Sequence, residues 1–336
     1  MAAFNYGGQA VVEGVMMRGR TSAAVAVRQA DGGLLLYEEP LNPRLYQSRT
    51  LQLPFLRGLL LLWDMLVLGT RMLAFAATAS LSTSSATSPA ASPALAESTG
   101  ESLATGRAPA PAEGPRLREV APGEVAGQGG LGLALTLVLS LGFAIALFFL
   151  TPLAVVGAAK SWLGAGWLSL VAEGVVRLVI LIGYLWLIGR MPSVARVFEY
   201  HGAEHKAINT LESGQPLDVA HVRQASRVHT RCGTGFLLIV MVVSIFVFAV
   251  VGDPPLALRI LSRIILIPVV AAIAYELMRL GAANYRHRVV RWLLAPGLAL
   301  QGLTTREPDD QQMECAIAAL ERVLRHDGVA ALERVA

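Results

Sequence analysis

Charge is scarce in this chain. Only 15% of its 336 residues are Asp, Glu, Lys or Arg, against 54% hydrophobic residues, and the mean hydropathy is +0.54. That balance excludes an ordinary soluble domain and points to an integral membrane protein. Cysteine is scarcer still. Cys232 and Cys315 are the only two, and both fall in segments expected to face the cytoplasm, which rules out a disulfide and leaves free thiols or a metal ligand. The net charge of +4 and the pI near 9.3 come without any basic block. Dispersed arginines at helix ends fit membrane topology better than a polyanion, so no nucleic-acid partner is expected. The opening MAAFNYGGQAVVEG lacks both a basic n-region and an apolar h-region. No secretory signal is therefore expected, and the N-terminus is expected to stay in the cytoplasm.

What the chain does have is long apolar runs. Four reach spanning length, at about 131–157, 165–189, 233–252 and 257–279, since roughly 20 residues at 1.5 Å each cross the hydrocarbon core. The connections around Ala158–Gly164 and Gly252–Pro255 are poor in positive charge. The segment 190–231 holds Arg190, Arg196, Lys206, Arg223, Arg227 and Arg231, and Arg279, Arg286, Arg288 and Arg291 follow the last run. The positive-inside rule places 190–231 and both termini in the cytoplasm of a cell inner membrane protein.

Around this bundle, residues 1–50 alternate short apolar stretches with glycine, and Asp31-Gly32-Gly33 between two such stretches signals a hairpin in a small β-rich module. Residues 54–80 predict a helix whose Arg57, Asp64 and Arg71 form one charged stripe, favouring an interfacial or bundle-packed helix over a span. From 81 to 130 the sequence turns to Ser, Ala, Pro, Gly and Glu, the composition of a disordered linker. Pro296-Gly297 predicts a broken interfacial helix at the end of the 131–303 bundle. In 304–336, Pro308-Asp309-Asp310 predicts a helix start, with Met313, Ile317, Leu320 and Leu324 on one packed face. The fold class expected is mainly α: a multipass membrane helix bundle of about four spans, with a small N-terminal β-rich module and cytoplasmic amphipathic helices.

The chemistry concentrates at His201-Gly202-Ala203-Glu204-His205. In an H-x-x-E-H helix both imidazoles reach one metal ion and the glutamate can act as a base. A helix through Val197–Leu211 would carry His201, Glu204, His205 and Ile208 on one broad face. Val228-His229-Thr230-Arg231-Cys232-Gly233 adds an imidazole and a thiol at the cytoplasmic entrance of the third run, and Glu276 lies near the cytoplasmic end of the fourth. Two sets follow. His201 and His205 completed by Glu276 or Cys232 leave an open position for water, with Glu204 as general base; His201, His205, His229 and Cys232 make a closed structural site. The cofactor expected is a divalent metal, zinc by donor type. The alternatives are a polar helix cap for the histidines, an Arg279 or Arg231 partner for Glu276 and a small buried residue at Cys232. Glu13 is read either as an extra ligand or base, or as a solvated turn residue. Glu173 and Arg177 form a favoured i,i+4 pair. With Glu276 they allow a weaker transporter reading, against which stands the absence of an inverted repeat.

The blocks GGQAVVEGVMMRG (7–19), EYHGAEHKAINTLESG (199–214), SRVHTRCGTGFLLIVM (226–241), PVVAAIAYELMRL (268–280) and APGLALQGLTTREPDD (295–310) resemble the YqhQ-like bacterial membrane proteins, a domain of unknown function labelled a predicted metal-dependent enzyme. The resemblance implies membrane location and a metal, with no reaction assigned. Thr230 stands where the family pattern has proline.

Overall fold

The computed structural model describes residues 6–41, 53–86, 117–120, 131–164, 166–252 and 254–329. Four strands come first: β1 (Gly7–Val11), β2 (Gly14–Arg18), β3 (Ser22–Arg28) and β4 (Leu34–Pro40). They pair antiparallel in chain order, with Gly8 opposite Met17, Met16 opposite Val25 and Val25 opposite Tyr37. The β3–β4 turn is the Asp31-Gly32-Gly33 hairpin: Gly32 has φ +82, and the Asp31 carboxylate accepts the Gly33 N–H. Helix α1 (Leu56–Ala86) follows, then β5 (Leu117–Val120), which joins β4 in parallel. That strand falls inside the stretch 81–130 expected as linker, and α1 runs into the same stretch as far as Ala86. Residues 87–116 and 121–130 lie outside the described residues.

The remaining chain is helical. Helix α2 (Leu131–Ile145) passes through a π-helical stretch, Ala146–Leu150, into α3 (Thr151–Ala158), and one turn, α4 (Lys160–Leu163), leads to α5 (Trp167–Ile188). Then come α6 (Pro192–Glu212), α7 (Val219–Gln224), α8 (Gly233–Val251), α9 (Leu256–Ala283), α10 (Arg288–Thr304) and α11 (Asp310–His326). The protein is thus mainly helical with a small N-terminal β-sheet. Among the described residues, five helical segments could cross a membrane by length and composition: Leu56–Ala79, Val138–Ala158, Trp167–Ile188, Gly233–Val251 and Ala257–Ala283. The sequence predicts four spans, with 54–80 as an interfacial or bundle-packed helix.

Neither face of the sheet is left uncovered, which explains the burial of β3 along its whole length. On one face Val15, Met17, Ala24 and Ala26 pack with Tyr200, Ala203, Ala207 and Ile208 of α6 and with Met313, Ala316, Leu320 and Val323 of α11. On the other, Met16, Val25, Val27 and Tyr37 meet Leu68, Met72, Phe75 and Ala76 of α1, a three-to-four spacing that lines up one helix face. Fully burying a side chain of this size contributes about 1.5–3 kcal/mol, so the two layers clamp the sheet between them. The start of α1 rests instead on α9, where a Cβ at Gly58 would come within 2.8 Å of the Tyr275 ring.

Two terminal helices settle local expectations differently. Helix α11 begins at the capping box expected near Pro308–Asp310, Asp309 accepting from the Gln312 N–H. Helix α10 is not broken at Pro296-Gly297: it runs continuously through both residues. The proline forfeits one backbone hydrogen bond, while Gly297 lets α10 approach α8 closely, a Cβ there lying 3.6 Å from the Gly235 Cα.

Candidate metal centre

Helix α6 carries the H-x-x-E-H string, and its neighbours fix both rings. His201 Nδ1 lies 2.8 Å from the Thr304 carbonyl at the end of α10, and His205 Nδ1 lies 2.6 Å from the Arg227 carbonyl in the loop before α8. A carbonyl oxygen only accepts, so each Nδ1 is the donor, which leaves Nε2 on the other side of each ring as the atom that can ligate a metal. Imidazole-ligated metals are commonly built this way, with the outer nitrogen held by backbone. The two ring centroids are 4.4 Å apart.

Cys232 caps the N-terminus of α8, its Sγ accepting the Thr234 N–H at 3.4 Å and lying 3.4 Å from His201 Nε2. The ligand atoms of His201, His205 and Cys232 all lie within 4.8 Å of one another; His205 and Cys232 are buried and His201 half-buried. Tetrahedral zinc, with bonds of about 2.0–2.3 Å, holds its ligand atoms roughly 3.3–3.8 Å apart. The His201–Cys232 pair is already at that spacing, and the widest gap needs about 1 Å of closure. The donor set therefore fits a divalent metal of zinc type.

His229 is adjacent but turned elsewhere. Its ring centroid is 5.6 Å from that of His205, while its Nε2 lies 3.6 Å from Glu212 Oε2. Burial alone would push the Glu212 carboxyl up, but the His229 hydrogen bond and the Arg231 charge together hold it below the ordinary carboxylate range. The His229 backbone is clasped by Gln301, which accepts its N–H at 2.9 Å and donates to its carbonyl at 2.8 Å. Gln301 and Glu212 are the positioning residues that the sequence reading missed. No motif marks them, although both sit in blocks that carry the family resemblance.

Glu204 is buried with its side chain packed close to strand β1. It is 5% exposed, and a Cβ at Gly8 of β1 would touch its side chain at 3.0 Å. Burial raises its carboxyl from the usual 4.5 to about 7, against the opposing pull of His201 and the Gly8 backbone N–H. Its Oε2 has no hydrogen-bond partner. Glu13, at the β1–β2 turn with φ +53, joins no ligand group; its carboxylate binds Arg196 and the Tyr200 hydroxyl and ties the turn to α6.

Glu276 does not join the cluster either. Arg57 of α1 donates to it through Nε at 2.8 Å and through Nη2, and the Phe55 N–H adds a third bond at 3.2 Å. Its hydrogen-bonded partner is Arg57, which α1 brings across from a distant part of the chain, and the Arg279 charge adds a weaker attraction. Glu276→Gln is accordingly expected to leave metal content unchanged while costing about 1–3 kcal/mol through the charged hydrogen bonds it weakens. Elemental analysis beside a thermal melt checks both halves, and metal loss would restore Glu276 to the ligand set.

The family model described as "Protein of unknown function (DUF1385)" matches residues 53–326, the region that holds His201, His205, Cys232, Gln301 and Thr304. The chain belongs to the DUF1385 family. A relative described as "Uncharacterized protein YqhQ" of Bacillus subtilis (strain 168) is 34% identical over 326 residues, covering 95% of this chain and 92% of the relative. No solved structure matches the chain.

Proposed function

We propose that this chain is a multipass inner membrane protein holding a divalent metal, zinc by its donors, at His201, His205 and Cys232, and that it acts as a metal-dependent hydrolase on a peptide or lipid-linked substrate. The observation that carries the reading is the three-ligand cluster with both Nδ1 atoms pinned to backbone carbonyls. Three protein ligands leave a fourth position open. A divalent metal bound there supplies Lewis acidity and a water that ionises near pH 7. Glu204, next to His205 in the helix, keeps one carboxylate oxygen unpartnered and holds its proton weakly enough near neutrality to take and return one as general base. The test is elemental analysis of detergent-purified protein, where about one equivalent of metal per chain is expected; none would end the reading.

A closed structural site is the second reading, because the His229 ring lies next to that of His205. His229→Gln separates the two. Retention of metal fits the open site, and its loss fits the closed one.

Membrane placement belongs to the same proposal. The five long apolar helical segments bury at most 28% of their apolar windows inside the protein, so most of that surface calls for an apolar cover. Four of them would span. In α1, Leu68 through Ala79 cover the sheet, leaving Leu56–Val67, roughly 18 Å of helix, too short for a hydrocarbon core of about 30 Å. Both termini, the sheet and 190–231 are then cytoplasmic, with a bundle over 131–303 and α11 packing back onto the sheet. Cysteine labelling in intact cells is expected to modify Trp162→Cys, whose native side chain is 92% exposed, and to spare the exposed Gln215→Cys. The reverse pattern would invert the topology.

A further inference from the structure

At the end of the bundle away from the histidines, two arginines meet one glutamate. Arg177 Nη2 donates to Glu173 Oε1 at 2.7 Å within α5, and Arg263 Nη2 of α9 donates to Glu173 Oε2 at 3.3 Å. All three are at most 5% exposed. Arg177 is fully engaged. Its Nε donates to the Phe148 carbonyl in the π-helical stretch at 2.9 Å, and its Nη1 to Ser244 Oγ of α8 at 3.0 Å. Arg263 is not: its Nε and Nη1 are buried without a hydrogen-bond partner, and its flat face rests on Phe248, 3.9 Å from the ring centroid.

Two buried guanidinium groups against one carboxylate leave a positive charge uncompensated. In an apolar bundle that arrangement is costly unless an anion supplies the balance. Arg263 also lines a pocket with Glu173, Ser169, Val156, Gly157 and Arg259. The pocket has about 20 Å³ of free space, enough for one water-sized group such as a single oxyanion oxygen. Glu173 lies six residues beyond Trp167 on α5 and Arg263 seven beyond Leu256 on α9, roughly 9–11 Å from those helix ends.

We propose that this pocket is an anion site whose ligand is a phosphate-class oxyanion, seated with one oxygen on the unpartnered donors of Arg263. The source is the phosphate of a membrane lipid headgroup drawn below the headgroup layer by the buried charge, a step that rests on the membrane reading above. Free phosphate offers the same chemistry without it.

The test uses the purified full-length protein in neutral detergent, with thermal stability and native mass spectrometry as readouts. The probes are phosphatidylglycerol, a diacylglycerol with the same chains, and inorganic phosphate against chloride at equal ionic strength. Phosphatidylglycerol is expected to bind at least about tenfold more tightly than the diacylglycerol. Arg263→Gln should erase that preference. Gly157→Leu keeps every charge and adds bulk to a residue that lines the pocket, at a position where an added Cβ meets nothing within 4 Å, so it should weaken binding about tenfold and decides the matter if Arg263→Gln fails to fold. Stabilisation by inorganic phosphate alone, lost in the same variants, supports the site with a free oxyanion as its source and holds even if the membrane reading fails. Equal binding of all probes, or wild-type binding by a folded Gly157→Leu, overturns the proposal and leaves the arginines as a structural knot.

Discussion

Replacing His201 or His205 with alanine is expected to lower metal affinity by more than about 100-fold, beyond what loss of a supporting hydrogen bond brings, so that the purified protein carries far less than one ion per chain. Each change removes one of three ligands and leaves the other two on separate elements, α6 and the start of α8. Glu204→Gln should behave in the opposite way. The amide keeps the shape of a side chain packed against Gly8, and glutamine at that position contributes no ligand, so metal content stays at the wild-type level. What it removes is the group that can take a proton. Cellular function is therefore expected to fall with metal still bound. Full complementation by Glu204→Gln, with metal lost in Cys232→Ser, would end the catalytic reading and leave a structural site. Unchanged metal content in both histidine variants would end every metal reading and return the histidines to the role of a helix cap.

Gly202→Ala is expected to damage the same centre without touching a ligand. A Cβ at Gly202 would lie 2.1 Å from the Arg306 carbonyl oxygen and 3.3 Å from its carbon, a backbone clash that no rotamer relieves. Arg306 N–H also bonds the Phe198 carbonyl at 2.9 Å, so this stretch is laced to α6 on both sides of the glycine. Overpacking of this kind costs about 1–3 kcal/mol. It also pushes away the segment whose Thr304 carbonyl orients His201, which should weaken metal binding by about 10–100-fold. Gly183→Ala is the control: the same change in α5, where an added Cβ meets nothing within 4 Å, should be neutral or slightly stabilising. Equal melting temperatures and equal metal affinities for the two variants would show that α6 and the 305–308 segment can part at little cost.

The parts of this structure governed by local pattern could be read from the sequence. The hairpin at Asp31–Gly33, the helix start at Asp309 and the apolar helices follow from turn chemistry, capping and run length. So does the convergence of His201 and His205, which helical geometry dictates, and Cys232 at a helix entrance was a reasonable third partner. What escaped depended on contacts between segments far apart in the chain. Glu276 was a sound candidate until α1 delivered Arg57, a residue 219 positions away. The Thr304 and Arg227 carbonyls that orient the rings leave no trace in side-chain identity. Helical spacing places Glu204 beside the histidines, but it cannot show that β1 packs against its side chain and buries it. Pro296-Gly297 read as a break because the sequence does not show that a second glycine, Gly235, waits across the helix crossing.

The clamp on the sheet also sets a timetable for synthesis. Strands β1 to β4 are complete when residue 40 has been made, but α11, which covers half of one face, ends at residue 326. The wait is 326 − 40 = 286 residues, about 14–57 s of translation at 5–20 residues per second. The tie is also made at the last moment, since the Arg20 and Thr21 amides bind Asp327. Throughout that interval Met17, Ala24 and Ala26 lack their final partners. A ribosome that stops short of residue 310 leaves an adhesive sheet face uncovered, so premature termination late in the message should be more toxic to the cell than termination before residue 7.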